Sequence, residues 1–388
     1  MRTKLKSLIC FILITSTLLT GACSSARDLN ELVIVVGIGM DKPQENPEEI
    51  KLIAQIVLPS KISTPEGGGS SEDPYYNLSS TAESTFEAVR EYTHMVSGRL
   101  YTAHTEVFII GRDMAEHGIA KHLDFFLRAK ETRPTAKIVI SNTTAIDVLS
   151  VKPKLGILPA TTISNLIDAQ TANSQSTEAN LLDFTNAMQS STLSFMAPIV
   201  TVMEDEGEQL IHVMGMAAFK QDKMVGQFTE NETRGVLWVK GKVKSGVLYV
   251  PIYDGIAAIE VLSAKSEVKP DIADGKVSMK VKVNVTAALA EQTCEENLAT
   301  QDNLKKLKAQ IQKAVCDEIA DAYDKAASLN TDVFGFGELI HKHFNNQWKD
   351  IEPRWEELFP QILLDLNVNV DIKSAGAVEE PIWSRKEG

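Results

Sequence analysis

The chain has 388 residues, of which 44% are hydrophobic and 23% charged, and its formal net charge is −13 at pH 7. This composition is typical of a globular protein, and the length exceeds what one core usually supports, so two or three domains are expected. The negative charge excludes nucleic acid as a partner and excludes electrostatic attraction to anionic lipid as the basis of membrane binding.

The first 22 residues have the three parts of a secretory signal. A basic head with three Lys and Arg residues precedes an apolar run, residues 8–19, and small residues then lead to Cys23. The alternative is an uncleaved anchor helix. The apolar run of about a dozen residues is too short for it, because a helix needs about 20 residues to span the bilayer core. We therefore predict a signal peptide over residues 1–22.

The residues before Cys23 also indicate the type of signal. The segment Leu19-Thr20-Gly21-Ala22-Cys23 resembles the bacterial lipobox, in which the cysteine thiol receives a diacylglycerol before cleavage. Two acyl chains hold a protein stably on a membrane, whereas one chain binds only marginally. We predict lipidation at Cys23 and attachment to the outer face of a membrane.

Two further cysteines remain after Cys23. Cys294 and Cys316 could form a disulfide in an exported protein, although two cysteines do not make a disulfide framework. The alternative is a buried free thiol, which is favoured for Cys316 because it lies among apolar residues of a predicted helix.

The first half of the chain alternates strand-like and helix-like segments. Strands are predicted at 32–40, 50–58, 101–110 and 136–140, helices at 82–97 and 113–129, a loop from Pro59 to about Ser80, and a polar helical region at 161–190. In the predicted helix at 82–97, Phe86, Val89 and either Tyr92 or His94 are spaced for one face. Gly37 indicates a bend or bulge in the first strand. The order of elements predicts a mixed sheet with helices.

The second half contains longer alternating strands. Strands are predicted across 196–220, with a turn at 204–208, and at 242–250, 256–266, 277–285 and 362–372. Thr229 and Glu232 have capping-box spacing and should open a helix through Trp238. A long helix is expected from about residue 295 to 327, and Asp332 should cap a helix that runs to His343.

Together these elements predict an α+β, multi-domain fold with mixed or antiparallel sheets flanked by helices. We place the N-terminal α+β domain at 23–195, a middle β-rich domain at 196–255 and a C-terminal α+β domain at 256–388. No motif for nucleotide binding or a nucleophile elbow is present. His341 and His343 are two apart on a predicted helix and face different sides, whereas zinc pairs need three or four. We predict no catalytic residues, no metal site and no cofactor.

Several separated motifs resemble one family, the Ger(x)C (GerAC-like) lipoproteins, which are the C subunits of nutrient germinant receptors in endospore-forming bacteria. The matching segments are Arg27–Asp41, Phe126–Pro134, Ala218–Gly226, Glu232–Trp238, Asp332–Gly337, Trp348 and Trp355–Phe359. They extend in order over nearly the whole chain after Cys23.

The resemblance implies a non-catalytic protein anchored by lipid on the outer face of the spore inner membrane. It implies two membrane-spanning partners, an A subunit and a transporter-like B subunit, and an α+β fold of three sheet-based domains. Within the Glu232–Trp238 motif, Arg234 is not needed by the cap. It could pair with an interior acid or contact a partner. Trp348 and Trp355 are expected to be buried anchors, and Phe334 to Gly337 to start a helix that packs two aromatic rings.

The alternative function is a solute-binding lipoprotein that serves a transporter. The length and the anchor fit this class. The long alternating strands do not, because they suggest antiparallel sheets and not two lobes of repeated βα units.

Overall fold

The computed structural model describes residues 32–62 and 73–374. The predicted signal peptide, Cys23 and the segment that follows it therefore lie outside the described residues. So do Gly67–Gly69 of the predicted loop. In the described ranges no helix is both long enough and apolar enough to cross a membrane.

Nine strands of the described residues form the larger sheet. They are β1 (Leu32–Asp41), β2 (Ile50–Val57), β3 (Tyr75–Ala82), β4 (Arg99–Tyr101), β5 (Val107–Gly111), β6 (Lys137–Ser141), β7 (Met196–Asp205), β8 (Glu208–Lys220) and β9 (Lys223–Phe228). The order is β3-β2-β1-β5-β6-β7-β8-β9, and β4 pairs with β1. Strands β1, β5, β6 and β7 are parallel, whereas both flanks are antiparallel. The sheet is mixed.

Helices pack on both faces of this sheet. They are α1 (Thr85–Glu91), α2 (Arg112–His117), α3 (Ala120–Arg128), α4 (Ala145–Leu149), α5 (Pro159–Ala169) and α6 (Leu181–Gln189). The side chains of β5 divide between the two faces. Phe108 and Ile110 join the core beneath α1, α2, α3 and α6. Val107 and Ile109 join the core on the other face, beneath α4 and α5. Alternate side chains of a strand point to opposite faces, so a fully buried strand serves both cores.

Two residues of β1, Gly37 and Asp41, contact the helices on the face of the sheet that α4 and α5 cover. The pairing of β1 with β2 shifts between Val35 and Gly37, which confirms the predicted bend or bulge. A side chain at Gly37 would place its Cβ 2.6 Å from the Cβ of Ala160 in α5. At the end of β1, the carboxylate of Asp41 accepts hydrogen bonds from the backbone N–H groups that begin α4, at 2.6 and 3.1 Å. This segment of the sequence therefore fixes where α4 and α5 pack.

The second half of the chain builds a four-stranded sheet with its own helices. The elements are α7 (Glu230–Val239), β10 (Gly246–Ile252), β11 (Gly255–Ala273), β12 (Lys276–Gln292), α8 (Gln301–Leu329), α9 (Phe336–His343), α10 (Asn345–Ile351), α11 (Trp355–Leu358) and β13 (Leu363–Ser374). Strands β10, β11 and β12 are antiparallel, and β13 is parallel to β12. The buried side chains of the sheet and of all five helices form one core.

The predicted fold class, α+β with mixed sheets flanked by helices, is confirmed. The segment predicted as a middle domain, 196–255, contributes β7, β8 and β9 to the larger sheet and β10 to the smaller sheet. The domain boundaries at 195 and 255 stay a prediction.

Several local predictions in the first half need correction. The predicted strand at 101–110 is a 3-10 turn followed by β5, and the predicted helix at 113–129 is divided at Gly118 into α2 and α3. The predicted loop from Pro59 to Ser80 contains most of β3, an edge strand whose polar outward residues hide its alternation. The predicted helix at 82–97 is shorter, because α1 ends at Glu91 and a single 3-10 turn follows. On that element Tyr92 is buried and Phe86 is 54% exposed.

His122 on α3 makes the stability of this half depend on pH. The ring is buried within 3.2 Å of the Thr85 hydroxyl, and burial, with a smaller effect of Lys121, lowers the pKa of His122 to about 4. The unfolded chain takes up a proton on this ring near pH 6.5, whereas the folded chain does so only near pH 4. The stabilisation from the neutral buried ring is therefore complete above pH 6.5 and is lost as pH falls to about 4. We expect His122→Gln to flatten the pH dependence of the free energy of unfolding over this window, by at most about 3 kcal/mol.

Urea unfolding at a series of pH values measures this effect. His343→Gln, at an exposed position on α9, is the control and should leave the slope unchanged. An unchanged slope in His122→Gln would contradict the assignment.

Candidate functional site

The two sheets meet along a surface that we call the junction, formed by α6 with Thr192–Met196 from the first half and by α7 with Asp332–Gly337 from the second. Backbone hydrogen bonds cross it. Leu193 pairs with Asp332 as an isolated bridge, and the N–H of Ser194 donates to the carbonyl of Asp332 at 3.0 Å. The junction is thus built into the main chain and does not depend on surface side chains alone.

The side chain of Asp332 organises the second-half side of the junction. Its carboxylate accepts three backbone hydrogen bonds, from Gly335 and Gly337 at 2.8 Å and from Phe336 at 3.0 Å. These bonds hold the start of α9 as a cap would, but the N-cap residue is Gly335, three residues after the predicted position. Burial raises the pKa of Asp332 to about 6, although the three N–H groups and nearby Lys240 act in the opposite direction. The three hydrogen bonds favour the charged carboxylate, but the loss of water around it on burial disfavours the charge by more.

Close packing around Asp332 explains the small and aromatic residues that follow it. A Cβ at Gly337 would lie 2.7 Å from the Cβ of Thr192 across the junction, so only glycine allows this approach. Phe334 and Phe336 stack with ring centroids 4.9 Å apart. The ammonium group of Lys240 donates to the carbonyl of Val333 at 2.9 Å. The prediction of a helix start that packs two aromatic rings is confirmed.

A second buried carboxylate, Glu318 of α8, holds α7 in place. Arg234 binds it with two nitrogen atoms, Nε at 3.0 Å and Nη2 at a shorter distance. The indole N–H of Trp238 donates to the same carboxylate at 2.8 Å. Arg234 also donates to the carbonyl of Val247 in β10 at 3.2 Å. One guanidinium therefore connects α7, α8 and the smaller sheet.

The rest of this motif allows the two helices to approach. Thr229 and Glu232 form the predicted capping box. A Cβ at Gly235 would lie 2.6 Å from the Cβ of Ala322 and would collide with the backbone of α8. The Glu-Thr-Arg-Gly sequence thus combines a cap, a buried ion pair and a close helix contact.

Arg234 was left with two alternatives in the sequence, and the structure shows the pairing with an interior acid. Only 4% of its surface is exposed, so it offers little surface to another chain, and its contact with a partner stays a prediction. Trp348 and Trp355 are buried, with ring centroids 5.7 Å apart, as expected for anchors. Cys294 and Cys316 are free thiols, and Cys316 is half-buried.

Sequence reasoning missed Glu318 and Lys240. A signal existed for Glu318, which lies on the same helical stripe as Val315 and Ala322, both fully buried. An acid at that spacing requires a buried donor. Nothing local in the sequence identifies Lys240, whose partner is 93 residues away.

A small cavity of about 140 Å³ lies within the junction. Residues of both halves line it, among them Asp183 of α6 and Lys240 after α7. The hydroxyl of Thr233, buried in α7, lines it without a hydrogen-bond partner. Within the described residues no group of three or more His, Cys, Asp or Glu side chains could hold a metal ion. What the geometry provides is a rigid connection between two sheets.

These features define an α+β chain of two sheets joined by a hydrogen-bonded contact at Asp332. Two family models match the chain, and the boundary between them falls at β7 and β8, inside the larger sheet. Residues 25–202 match the family described as spore germination protein N-terminal domain. Residues 214–376 match spore germination B3/GerAC like, C-terminal. The chain belongs to the GerAC-like family of spore germination proteins.

Relatives match along almost their whole length. Spore germination protein KC of Bacillus subtilis (strain 168) is 22% identical and is covered to 98%, with 97% of this chain aligned. Spore germination protein A3 of the same organism is 24% identical, with 93% of this chain and 95% of the relative aligned. The crystal structure of the GerBC protein has a TM-score of 0.58 and 18% identity over 87% of this chain and 97% of that one, so the fold is shared.

Removal of the charge at Glu318 should destabilise the chain strongly. Glu318→Gln keeps the shape but leaves the Arg234 guanidinium buried without its charged partner, which typically costs about 3–5 kcal/mol. The free energy of unfolding in urea measures this loss. The control is Lys313→Gln, which breaks the exposed pair with Asp317 one turn earlier on α8 and should have a much smaller effect. Equal losses in the two variants would contradict the proposed importance of the buried pair.

Substitution of Asp332 tests the junction. The folded pKa of about 6 exceeds the ordinary value of 3.8, so this carboxyl makes the free energy of unfolding fall as pH rises through that window. Asp332→Asn should remove this dependence. At neutral pH the substitution should lower the free energy of unfolding by roughly 1–3 kcal/mol, because the amide N–H₂ of the new Asn side chain would face a backbone N–H donor. Asp302→Asn, exposed on α8, is the control, and the same pH profile in Asp332→Asn and in the parent chain would refute the assignment.

Proposed function

We propose that this chain is the lipid-anchored, non-catalytic C subunit of a nutrient germinant receptor. In this proposal the subunit acts with membrane-spanning A and B subunits to trigger germination, by scaffolding or by coupling a signal between them. The observation that carries the proposal is the match of both halves of the chain, in order, to spore germination families. The alignment of nearly the full length of spore germination proteins KC and A3 supports it.

The geometry of the junction supports a coupling role. Motif residues contact distant segments there and beside it. Outside the junction, Gly226 in β9 approaches α8 so closely that a Cβ would lie 2.8 Å from Leu329. Asp332 binds backbone groups on both sides of the junction. A force or displacement applied to one sheet is therefore passed to the other through packed, hydrogen-bonded elements, and not through a flexible linker.

The membrane anchor in this proposal is a diacylglycerol on Cys23. We place the folded body on the outer face of the spore inner membrane, held by that lipid. Electrostatic attraction cannot replace the lipid, because the chain has a net charge of −13 and membranes rich in anionic lipid repel it.

Substitution of the anchor cysteine tests this placement. We expect Cys23→Ala to remove the acyl modification and to release most of the chain from the membrane fraction, because the preceding apolar run is too short to span a bilayer. The mass of the amino-terminal peptide and membrane fractionation measure the two effects. Cys316→Ala is the matched control and should remain acylated and membrane-bound. Full membrane retention of Cys23→Ala would instead support the uncleaved anchor helix.

The receptor assignment is tested by purification of the lipidated protein from detergent-solubilised spore membranes, with mass spectrometry of the chains that co-purify. Recovery of an A-type and a transporter-like B-type membrane protein is the expected result. Recovery of an ATP-driven permease would contradict the assignment and support the solute-binding alternative. Recovery of the protein without other chains would contradict both the receptor and the transporter assembly.

A further inference from the structure

An open groove of about 880 Å³ lies on the face of the larger sheet that α1 and α3 cover. Strands β1 and β2 form its floor. Its walls are α1 with the turn that follows, residues 96–102, and the end of α3 with residues 129–131. Pockets that bind small molecules have volumes of roughly 300–1,000 Å³, so the groove has room for a ligand.

The interior of this groove is apolar. The apolar residues that line it are Val35, Ile38, Leu52, Val89, Val96, Leu100, Phe125 and Phe126. Phe86, also in the lining, is 54% exposed, and its ring centroid lies 5.8 Å from that of Phe125. An exposed aromatic ring beside an apolar concavity is typical of a site that binds apolar matter.

The rim of the groove is positive, in contrast to the chain as a whole. Its charged residues are Arg90, Arg99, Lys130 and Glu131. Arg99 pairs with Glu131. Arg90 lies over the Phe86 ring, 5.0 Å from its centroid. In the described part of the chain neither Arg90 nor Lys130 has an acidic partner, so two cations are available to an anionic group.

The first strand that borders the groove is close in sequence to the proposed anchor. Leu32–Ile34, at the start of β1, pair with Arg99–Tyr101, and Arg99 and Leu100 line the groove. Leu32 follows Cys23 by nine residues. A fully extended chain spans at most about 3.6 Å per residue, so the start of β1 lies within roughly 32 Å of an acylated Cys23.

We propose that this groove binds an anionic phospholipid of the membrane, with an acyl chain along the apolar floor and the phosphate against Arg90 and Lys130. An apolar interior with two unpaired cations at the rim matches that amphiphile. That the lipid comes from the membrane rests on the anchor in the proposed function. The affinity of the groove for such a lipid does not depend on the anchor. Binding would orient the acidic body on the bilayer by one local contact.

The test uses the processed, full-length protein in mixed micelles of neutral detergent, where binding does not require the anchor. The probe is phosphatidylglycerol with a photoactivatable diazirine in its acyl chain. After irradiation, mass spectrometry of peptides locates the cross-links, with competition by unlabelled phosphatidylglycerol, phosphatidylcholine or inorganic phosphate. Acylation of Cys23 is read from the same spectra, so failure of the anchor and failure of the groove are distinguished.

Two variants and one control define the site. Arg90→Gln with Lys130→Gln removes the cations at exposed positions and should lower groove cross-linking roughly ten-fold, since each cation near an anionic lipid contributes a few-fold. Ala129→Trp should narrow the groove at its wall and lower cross-linking. Lys276→Gln with Lys349→Gln removes the same charge from exposed positions in the second half and should change nothing.

We expect cross-links concentrated in residues 85–102 and 120–131, displaced by phosphatidylglycerol much more than by phosphatidylcholine and not by inorganic phosphate. Displacement by inorganic phosphate alone would show an anion site and overturn the lipid assignment. Cross-links spread over the surface, equal displacement by both lipids, or full cross-linking in the Arg90 and Lys130 variant would also overturn it.

Discussion

A carboxylate inside a protein is stable only when donors surround it, and two such groups determine how the second half of this chain is arranged. Glu318 requires Arg234 and Trp238, which fixes α7 against α8. Asp332 requires the N–H groups of the turn that begins α9. Because the main chain of Asp332 also binds Ser194, the position of that turn determines how the first half docks. The junction therefore depends on how Asp332 is held.

This arrangement accounts for the family motifs without any catalytic chemistry. The glycines allow close approach, as Gly235 does toward α8 and Gly337 toward Thr192. Arg234 serves the ion pair, and the aromatic residues near Asp332 fill the core. Such residues maintain the packing of the two sheets and their helices. The positive groove lies apart from the junction, at the strand nearest the proposed anchor. If the proposed anchor and lipid site are correct, the chain combines a membrane contact with the junction that joins its two sheets.

The sequence predicted those parts that depend on near neighbours. The capping box of Thr229 and Glu232 was correctly placed, and Asp332 does bind the first N–H groups of α9 although the N-cap residue is Gly335, because these contacts join residues three to five apart. The alternation of β12 and β13 was visible because one face is buried. By contrast, β3 was missed, since an edge strand with Asn, Ser and Thr on one face and a buried Ser on the other lacks the apolar signal. The groove and the junction were not predicted, because residues far apart in the chain assemble them.

The central claim of this account is that the two family-matched halves form one mechanical body. Hydrogen exchange of the full mature protein in increasing urea, followed by mass spectrometry, tests it directly through the buried amides of β5 and β12. If the junction joins the halves, both sets of amides lose protection at the same urea concentration, in one cooperative step. Loss of protection in β5 and β12 at clearly different urea concentrations would show that the halves unfold independently and would contradict the claim.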